Sequence, residues 1–426
     1  MRRLRSGAAR LFHIGEDEAA PVIAGFAMFF LVFAGYFMLR PVRETMGIAG
    51  GVDNLQWLFT GTFLATLAAM PLFGWIAARV KRRRIVTWVF SFFAANLAAF
   101  AIAFVARPDD VWLARAFYIW LSVFNLIAIS VAWSVLVDVF EPGEAKRLFA
   151  LIAGGASLGG LVGPLLGVVL VGRIGHPGLL LLSAMFLIAA MLFAHAIQRW
   201  RSARSRHHAE VSEQRALGGS PFAGVSAVLR SPYLLGIALF VLLLASVSTF
   251  LYFEQARLVE AAFPLKTDQT RVFSTIDVIV QTLAIASQLF LTGRIAQRLG
   301  VGALLVAVPL AATAGFVWLA FAPTFAVLAV VIVIRRAGEY AFVRPGREML
   351  YTVVSPEAKY KAKNFNDTVV YRGADAVSGW VKTGVDLLAQ QPAIAMTLGA
   401  CIALAWAVTG GVLARRQHEL ETASPP

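Results

Sequence analysis

Three charged clusters interrupt otherwise apolar segments of this chain, and their spacing defines what they can do. The first is Arg40-Pro41-Val42-Arg43-Glu44. Residues 40, 43 and 44 stand at i, i+3 and i+4 and share one helix face. Two guanidiniums on one face can clamp an anionic or phosphorylated solute through bidentate hydrogen bonds. The alternative is a pair of interfacial arginines, one bridged to Glu44, reaching to water. Pro41 loosens the backbone at the same place. The second cluster, Asp277, Gln281 and Gln288, follows i, i+4 and i+11, with Ser274 extending the face. A carboxylate inside a membrane is costly unless it faces protein or water, so this face lines a cavity or forms a hydrogen-bonded cluster between helices.

The third cluster spans two segments. Arg335-Arg336-Ala337-Gly338-Glu339 is followed by Arg344-Pro345-Gly346-Arg347-Glu348. The spacing pairs Glu339 with Arg335 or Arg336, and Glu348 with Arg344. It puts Arg336, Tyr340 and Arg347 on one face. Each arginine near the centre of a spanning helix costs about 2.5–3.5 kcal/mol to insert, so the deeper Arg335, Arg336 and Glu339 are expected in a cavity or gate. Residues 366–388 then carry Asp367, Tyr371, Asp375, Ser378, Lys382 and Asp386 in steps of 4, 4, 3, 4 and 4. That is one continuous helical stripe, expected to line an aqueous path or an ion-pair network.

The elements that hold these clusters are read from composition. Of 426 residues, 59% are hydrophobic and only 15% charged, well under the roughly 25% of soluble domains, and the mean hydropathy is +0.73. Apolar runs of about 20 residues, the length that crosses a bilayer, recur at 20–45, 54–79, 85–106, 112–139, 147–172 and 178–198. A second set follows at 233–254, 271–292, 301–321, 324–351, 365–388 and 392–414. The fold class is therefore an all-α membrane protein of about 12 transmembrane helices, with none of the period-2 alternation of a membrane barrel.

The net charge of +14 collects in alternate gaps, as the positive-inside rule requires. Topology accounts for it, and no nucleic-acid partner is expected. Both termini are placed in the cytoplasm, in a bacterial inner membrane. The organisation expected is an N-terminal six-helix bundle (1–199), a cytoplasmic linker (200–232) and a C-terminal bundle (233–426). Internal similarity supports two parallel halves: GWIAARVK at 74–81 answers GRIAQRLG at 293–300, PGEAK at 142–146 answers PEAK at 356–359, and GASLGG at 155–160 answers GADAVSG at 373–379. Gly155, Gly159, Gly163 and Gly167, four apart, form a ridge for close helix packing. The single cysteine, Cys401, permits no internal disulfide. The apolar run from residue 20 is too long for a cleaved signal core. No phosphate loop, metal-ligand cluster or nucleophile motif is found, so neither enzymatic activity nor a cofactor is expected. His195, His207 and His208 are read as solvated.

The chain resembles the major facilitator superfamily, whose loop after the second span runs G-x-x-x-D-R-x-G-R-R. Gly74, Arg79, Arg82 and Arg83 match it, with Ala78 and Lys81 at the acidic and second glycine positions. Within that superfamily the chain is most similar to the nucleotide transporter family of ATP/ADP exchangers. Leu39-Arg40-Pro41-Val42-Arg43-Glu44 resembles the family's L-R-x-x-K-D, Phe273-Ser274-Thr275 its F-S-T, and Lys363…Asp367 its K-x-x-x-D. Three positions depart from the family: no acidic residue occurs within 118–133, Phe250 stands at a glutamate position with Glu254 one turn on, and Asp375 stands near a lysine position.

These readings converge on a monomeric secondary transporter in the lipid bilayer, carrying a small anionic solute such as a nucleotide. Arg40, Arg43, Arg336, Lys363 and Arg372 are the expected substrate contacts. Glu44, Asp277, Gln281, Glu339, Asp367, Asp375 and Lys382 are the expected coupling or gating residues. Two other readings stay open at this point. One is a proton-coupled carrier of an unrelated solute, titrating Asp375 or Asp277. The other is a non-transporting scaffold or sensor, in which the stripes pair completely and leave no cavity.

Overall fold

Long apolar segments must satisfy every backbone group internally when they cross a membrane, which leaves the helix as the available form. The computed structural model describes residues 18–80, 82–140, 142–205, 224–389 and 391–423, and these are helical apart from short connections, with no strand among them. In chain order the helices are α1 (Ala19–Ala49), α2 (Leu55–Arg79), α3 (Arg82–Ala106), α4 (Val111–Val139), α5 (Pro142–Ser205), α6 (Val225–Arg230), α7 (Pro232–Ala262), α8 (Lys266–Ser287), α9 (Gly293–Phe321), α10 (Phe325–Gly338), α11 (Arg344–Leu350), α12 (Pro356–Phe365), α13 (Tyr371–Ala389) and α14 (Pro392–Ala423).

Among the described residues, eight helical stretches are long and apolar enough to span a bilayer; of these, Arg147–Ala203 has 57 residues and Lys266–Phe321 has 56. At 1.5 Å rise per residue, each of these two is long enough for two crossings. Each turns back at a glycine, Gly175 (φ 63°) and Gly300 (φ 75°), in a region where other L-residues are strained. The charged segments α10–α11 and α12–α13 complete the set of twelve.

Three π turns break regular helix at Gln288–Thr292, Glu339–Val343 and Asn366–Val370. A π turn releases backbone carbonyls from the usual ladder and is enriched at functional sites. Here side chains recover them: Thr292 Oγ1 donates to the Ser287 carbonyl at 3.1 Å and to the Ala341 carbonyl at 2.8 Å. Gln288 Nε2 donates to the Tyr340 carbonyl at 3.0 Å. The first two π turns are thus tied to each other, fixing α8 against α10.

One group of buried apolar side chains is drawn from residues 22–197 and a second from 228–413. A third joins Ile48, Leu55, Leu58 and Tyr118 to Phe253, Ala256, Val259 and Phe273. This seam lies at the end of the molecule opposite the termini. There Thr45 and Thr270 hydroxyls meet at 2.7 Å, His176 Nε2 meets Thr270 at 2.9 Å, and Lys266 donates to Asp109 at 2.9 Å. Trp380 Nε1 donates to Thr60 at 3.1 Å beside Trp57.

The glycine ridge packs α5 onto α1. A Cβ on Gly155 or Gly159 would overlap the Phe26 or Phe30 carbonyl oxygen, and one on Gly163 would come within 2.5 Å of the Ala34 carbonyl. Gly163→Leu is therefore expected to abolish recovery of monodisperse protein on size-exclusion chromatography, because backbone, unlike a side chain, has no rotamer to yield. A leucine variant with an unchanged melting midpoint would contradict this packing.

Several helices run beyond the expected bounds, among them the first to Ala49, the fifth from Pro142, the eighth from Lys266 and the twelfth to Ala423, and three cases bear on the organisation. Residues 200–205 continue α5 and 225–230 form α6, so both edges of the expected linker are helical; 206–223 lie outside the described residues. The seventh span continues past residue 254 to Ala262. The eleventh begins at Pro356 rather than 365, so PEAK lies in α12 and not in a connection. In each case polar residues sit on helix ends that project beyond the apolar core, where hydropathy carries no signal. His195 is not simply solvated, since its Nε2 meets Thr87 Oγ1 at 2.9 Å; His207 and His208 lie outside the described residues.

Candidate functional site

A cavity of about 800 Å³ lies between the two sets of helices, within the usual range for small-molecule sites. It is closed at one end by the apolar seam and opens toward the end that bears the termini. Near the mouth, the Arg344 and Glu348 side chains are 57% and 43% exposed.

The deepest charged layer joins three helices. Arg336 on α10 bonds Asp277 on α8 at 2.6 Å, and Arg40 on α1 reaches the other oxygen of the same carboxylate at 3.6 Å. One carboxylate therefore faces two guanidiniums, and the longer contact leaves Arg40 the less neutralised. Arg43 lies one turn further along α1. It meets Glu44 at 3.4 Å, donates to Tyr118 Oη at 3.3 Å and Ser122 Oγ at 3.4 Å, and stacks 4.5 Å over the Tyr118 ring. Its Nε, like that of Arg336, is buried without a hydrogen-bond partner.

A second layer runs along α10, α11 and the helices α12–α13. Glu339 pairs with Arg335 at 3.1 Å and with Arg344 at 3.4 Å, and Arg335 also donates to Ser248 at 2.6 Å. Arg347 pairs with Asp367 at 2.9 Å, and Lys363 with Glu348 at 2.7 Å. Arg372 faces Asp375 at 3.6 Å, while Thr249 donates to Asp375 at 3.0 Å.

Of the pairings read from spacing, Arg335–Glu339 and Arg43–Glu44 form, while others give way to contacts between helices. Arg336 takes Asp277 rather than Glu339, and Glu348 takes Lys363 rather than Arg344. Local i, i+4 geometry makes such pairs possible, but Asp277 on α8 and Lys363 on α12 lie closer to the charges they take.

Arg40, Arg43, Glu44, Asp277, Gln281, Arg336, Glu339, Lys363, Asp367, Arg372 and Asp375 all line the cavity. Lys382 does not. It is buried against Asp386 at 2.6 Å, toward the closed end. The polar stripe on the eleventh span thus lines the cavity only from Asp367 to Asp375; beyond it, Ser378 bonds Ser246 at 2.8 Å. Glu254 is likewise outside, buried beside Arg257.

Several lining residues are absent from the sequence reading: Tyr36, Tyr118, Ser248, Thr249 and Tyr252. Uncharged hydroxyls and aromatics inside apolar spans raise no hydropathy alarm. The i, i+4 spacing of Ser248 with Tyr252, and of Tyr36 with Arg40, is a signal that was available.

In all, eight cationic and six carboxylate side chains face the cavity, an excess of two positive charges. A scaffold whose stripes leave no cavity is contradicted by this volume.

Residues 22–358 match the profile of the Major Facilitator Superfamily. No significant match was found among curated protein sequences. Among solved structures the chain is similar to the POT family transporter PepTSo, at 14% identity and TM-score 0.64 over 94% of this chain and 98% of that one. A variant of the nucleoside transporter NupG matches at 15% identity and TM-score 0.60, over 94% and 99%. The human organic anion transporter MFSD10 matches at 16% identity and TM-score 0.54, over 93% and 100%. At these identities the likeness is one of fold.

Proposed function

The chain belongs to the major facilitator superfamily, and from that premise we propose that it is a secondary transporter carrying a small anionic, phosphorylated solute by alternating access. Transport rather than enzymatic catalysis is the business of that family. The observation that carries the anionic reading is the cavity's excess of two cations, with Arg40, which shares its carboxylate with Arg336, the least neutralised. A desolvated guanidinium binds phosphate oxygens in a planar fork, and charge-assisted bonds of this kind are roughly twice as strong as neutral ones.

In this reading residues 1–199 and 233–426 form two bundles that rock about the site. The end bearing the termini is cytoplasmic, so the cavity is inward-open. Arg40, Arg43 and Arg336 hold the anion; Lys363 and Arg372 receive it nearer the mouth. Glu44, Asp277, Gln281, Glu339, Asp367 and Asp375 shape the site and release or recapture the arginines as solute leaves or arrives. Lys382 with Asp386 belongs to the closed end and acts in gating alone. Nucleotides are the first candidates, because of the resemblance of residues 39–44 and 363–367 to nucleotide exchangers. Proteoliposomes tested with labelled nucleotides, sugar phosphates and inorganic phosphate are expected to accumulate at least one of them. Uptake of none, in vesicles with demonstrated protein insertion, overturns the proposal.

A second reading rests on Asp375, a buried carboxylate held only loosely by Arg372 at 3.6 Å. In a proton-coupled carrier, Asp375→Asn abolishes stimulation of uptake by a pH gradient and leaves solute binding within about threefold. If the anion exchanges without a proton, the same substitution leaves the response to the gradient unchanged.

A further inference from the structure

The cavity's positive charge identifies the acid group of its solute but not the rest of it; that part must fit the walls beside Arg40. On α1, Phe29, Phe33 and Phe37 stand four residues apart, and their rings run nearly parallel along the helix. Phe29 and Phe33 have centroids 6.0 Å apart at 16°, and Phe33 and Phe37 6.2 Å apart at 18°. The ladder starts in the core, where Phe29 is fully buried edge-on to Trp133 at 4.8 Å. It ends in the cavity, one turn before Arg40.

Phe37 differs from the other two rings. It lines the cavity but belongs to none of the three apolar clusters, whereas Phe29 and Phe33 both pack into the first. Phe33 stacks along Phe37 and Tyr36 meets it edge-on at 5.2 Å, and the part of the ring left half-buried on the cavity wall is available to a solute. Opposite the ring, above Gly160, lies Gln281 of α8. A Cβ on Gly160 would be 3.4 Å from Gln281 Nε2 and 3.8 Å from the Phe37 ring. The ring edge and the carboxamide therefore flank the same space. Gln281 is one turn of α8 beyond Asp277, the carboxylate that Arg40 and Arg336 share.

We propose that the transported anion carries a planar aromatic ring, which stacks on Phe37 with its edge read by Gln281 while its acid group sits between Arg40 and Arg336. The inference rests on the anion reading and narrows it. A flat π-system stacks on a phenyl ring largely irrespective of its substituents, and a carboxamide supplies both donor and acceptor to a heteroatom at the ring's edge. A solute with only an aliphatic body satisfies the arginines but leaves the platform and the carboxamide unused.

Phenyl phosphate and glycerol 3-phosphate have the same acid group and differ in the body attached to it. Their dissociation constants are measured on the purified full-length protein by isothermal titration calorimetry. Phenyl phosphate is expected to bind at least tenfold more tightly. Phe37→Leu is expected to remove that preference while leaving glycerol 3-phosphate within twofold, and Phe37→Tyr to keep it. All variants are checked for monodispersity, and the tyrosine variant covers a leucine variant that fails to fold. Equal affinity for the two phosphates in the unsubstituted protein overturns the aromatic inference and leaves the anion site standing. Binding of neither overturns the anion reading and this inference with it. A preference that survives in Phe37→Leu removes Phe37 as the platform and overturns the assignment.

Discussion

Arg40→Gln is expected to lower the rate of anion uptake at least a hundredfold while leaving the protein folded. The two halves of that expectation have different causes. Arg40 is the guanidinium with the weakest internal partner, 3.6 Å from a carboxylate that Arg336 already holds at 2.6 Å. Removing it deprives the solute of a charged contact but leaves Asp277 paired. A hydrogen bond to a charged group contributes about 1.5–3 kcal/mol, and a bidentate pair contributes two, so a hundredfold loss, about 2.7 kcal/mol, is the least expected. The melting midpoint should move little. Uptake by proteoliposomes, set beside a thermal melt of the same preparation, checks both. A normal rate in Arg40→Gln removes the residue from the site.

Arg336→Gln is expected to do the opposite in its first effect: it destabilises the protein. Asp277 then keeps only the 3.6 Å contact with Arg40, in a position where its side chain is 5% exposed. Stranding one partner of a buried ion pair costs roughly 3–5 kcal/mol. The double variant Arg336→Gln/Asp277→Asn replaces both charges with neutral groups and is expected to recover most of the lost stability. It should not recover transport, since the arginine that faces the solute is still missing. The non-additivity of the pair is read from the melts of the single and double variants. Additive destabilisation would mean that the two residues do not share the bond at 2.6 Å.

Hydropathy made the spans that hold these residues legible, because a bilayer core demands about 20 apolar residues per crossing whatever the fold. The face of each polar cluster was equally legible. Asp277 and Gln281, or Asp367 and Asp375, keep helical register, and they line the cavity together. Which charge meets which was not legible from spacing. Arg336 finds Asp277, 59 positions away, instead of Glu339 three positions on, because the packing of α8 against α10 decides the partner, and those two helices are tied together through π turns. No local signal announces such a turn; it is stabilised by Thr292 and Gln288 reaching carbonyls on another helix. The stripe of residues 366–388 illustrates both sides. Its register is continuous in sequence, yet the cavity ends after Asp375, and Lys382 turns inward to Asp386 where the bundles close.

The excess of two cations, with Arg40 the least neutralised, makes this cavity an anion site. That reading is tested most directly by calorimetric titration of the purified protein with a nucleotide, a sugar phosphate, and the uncharged nucleoside and sugar that correspond to them. At least one phosphorylated compound is expected to bind one-to-one, its uncharged counterpart not to bind, and the signal to be lost in Arg40→Gln. Binding of an uncharged compound as tight as that of its phosphorylated form, unaffected by Arg40→Gln, would contradict that reading.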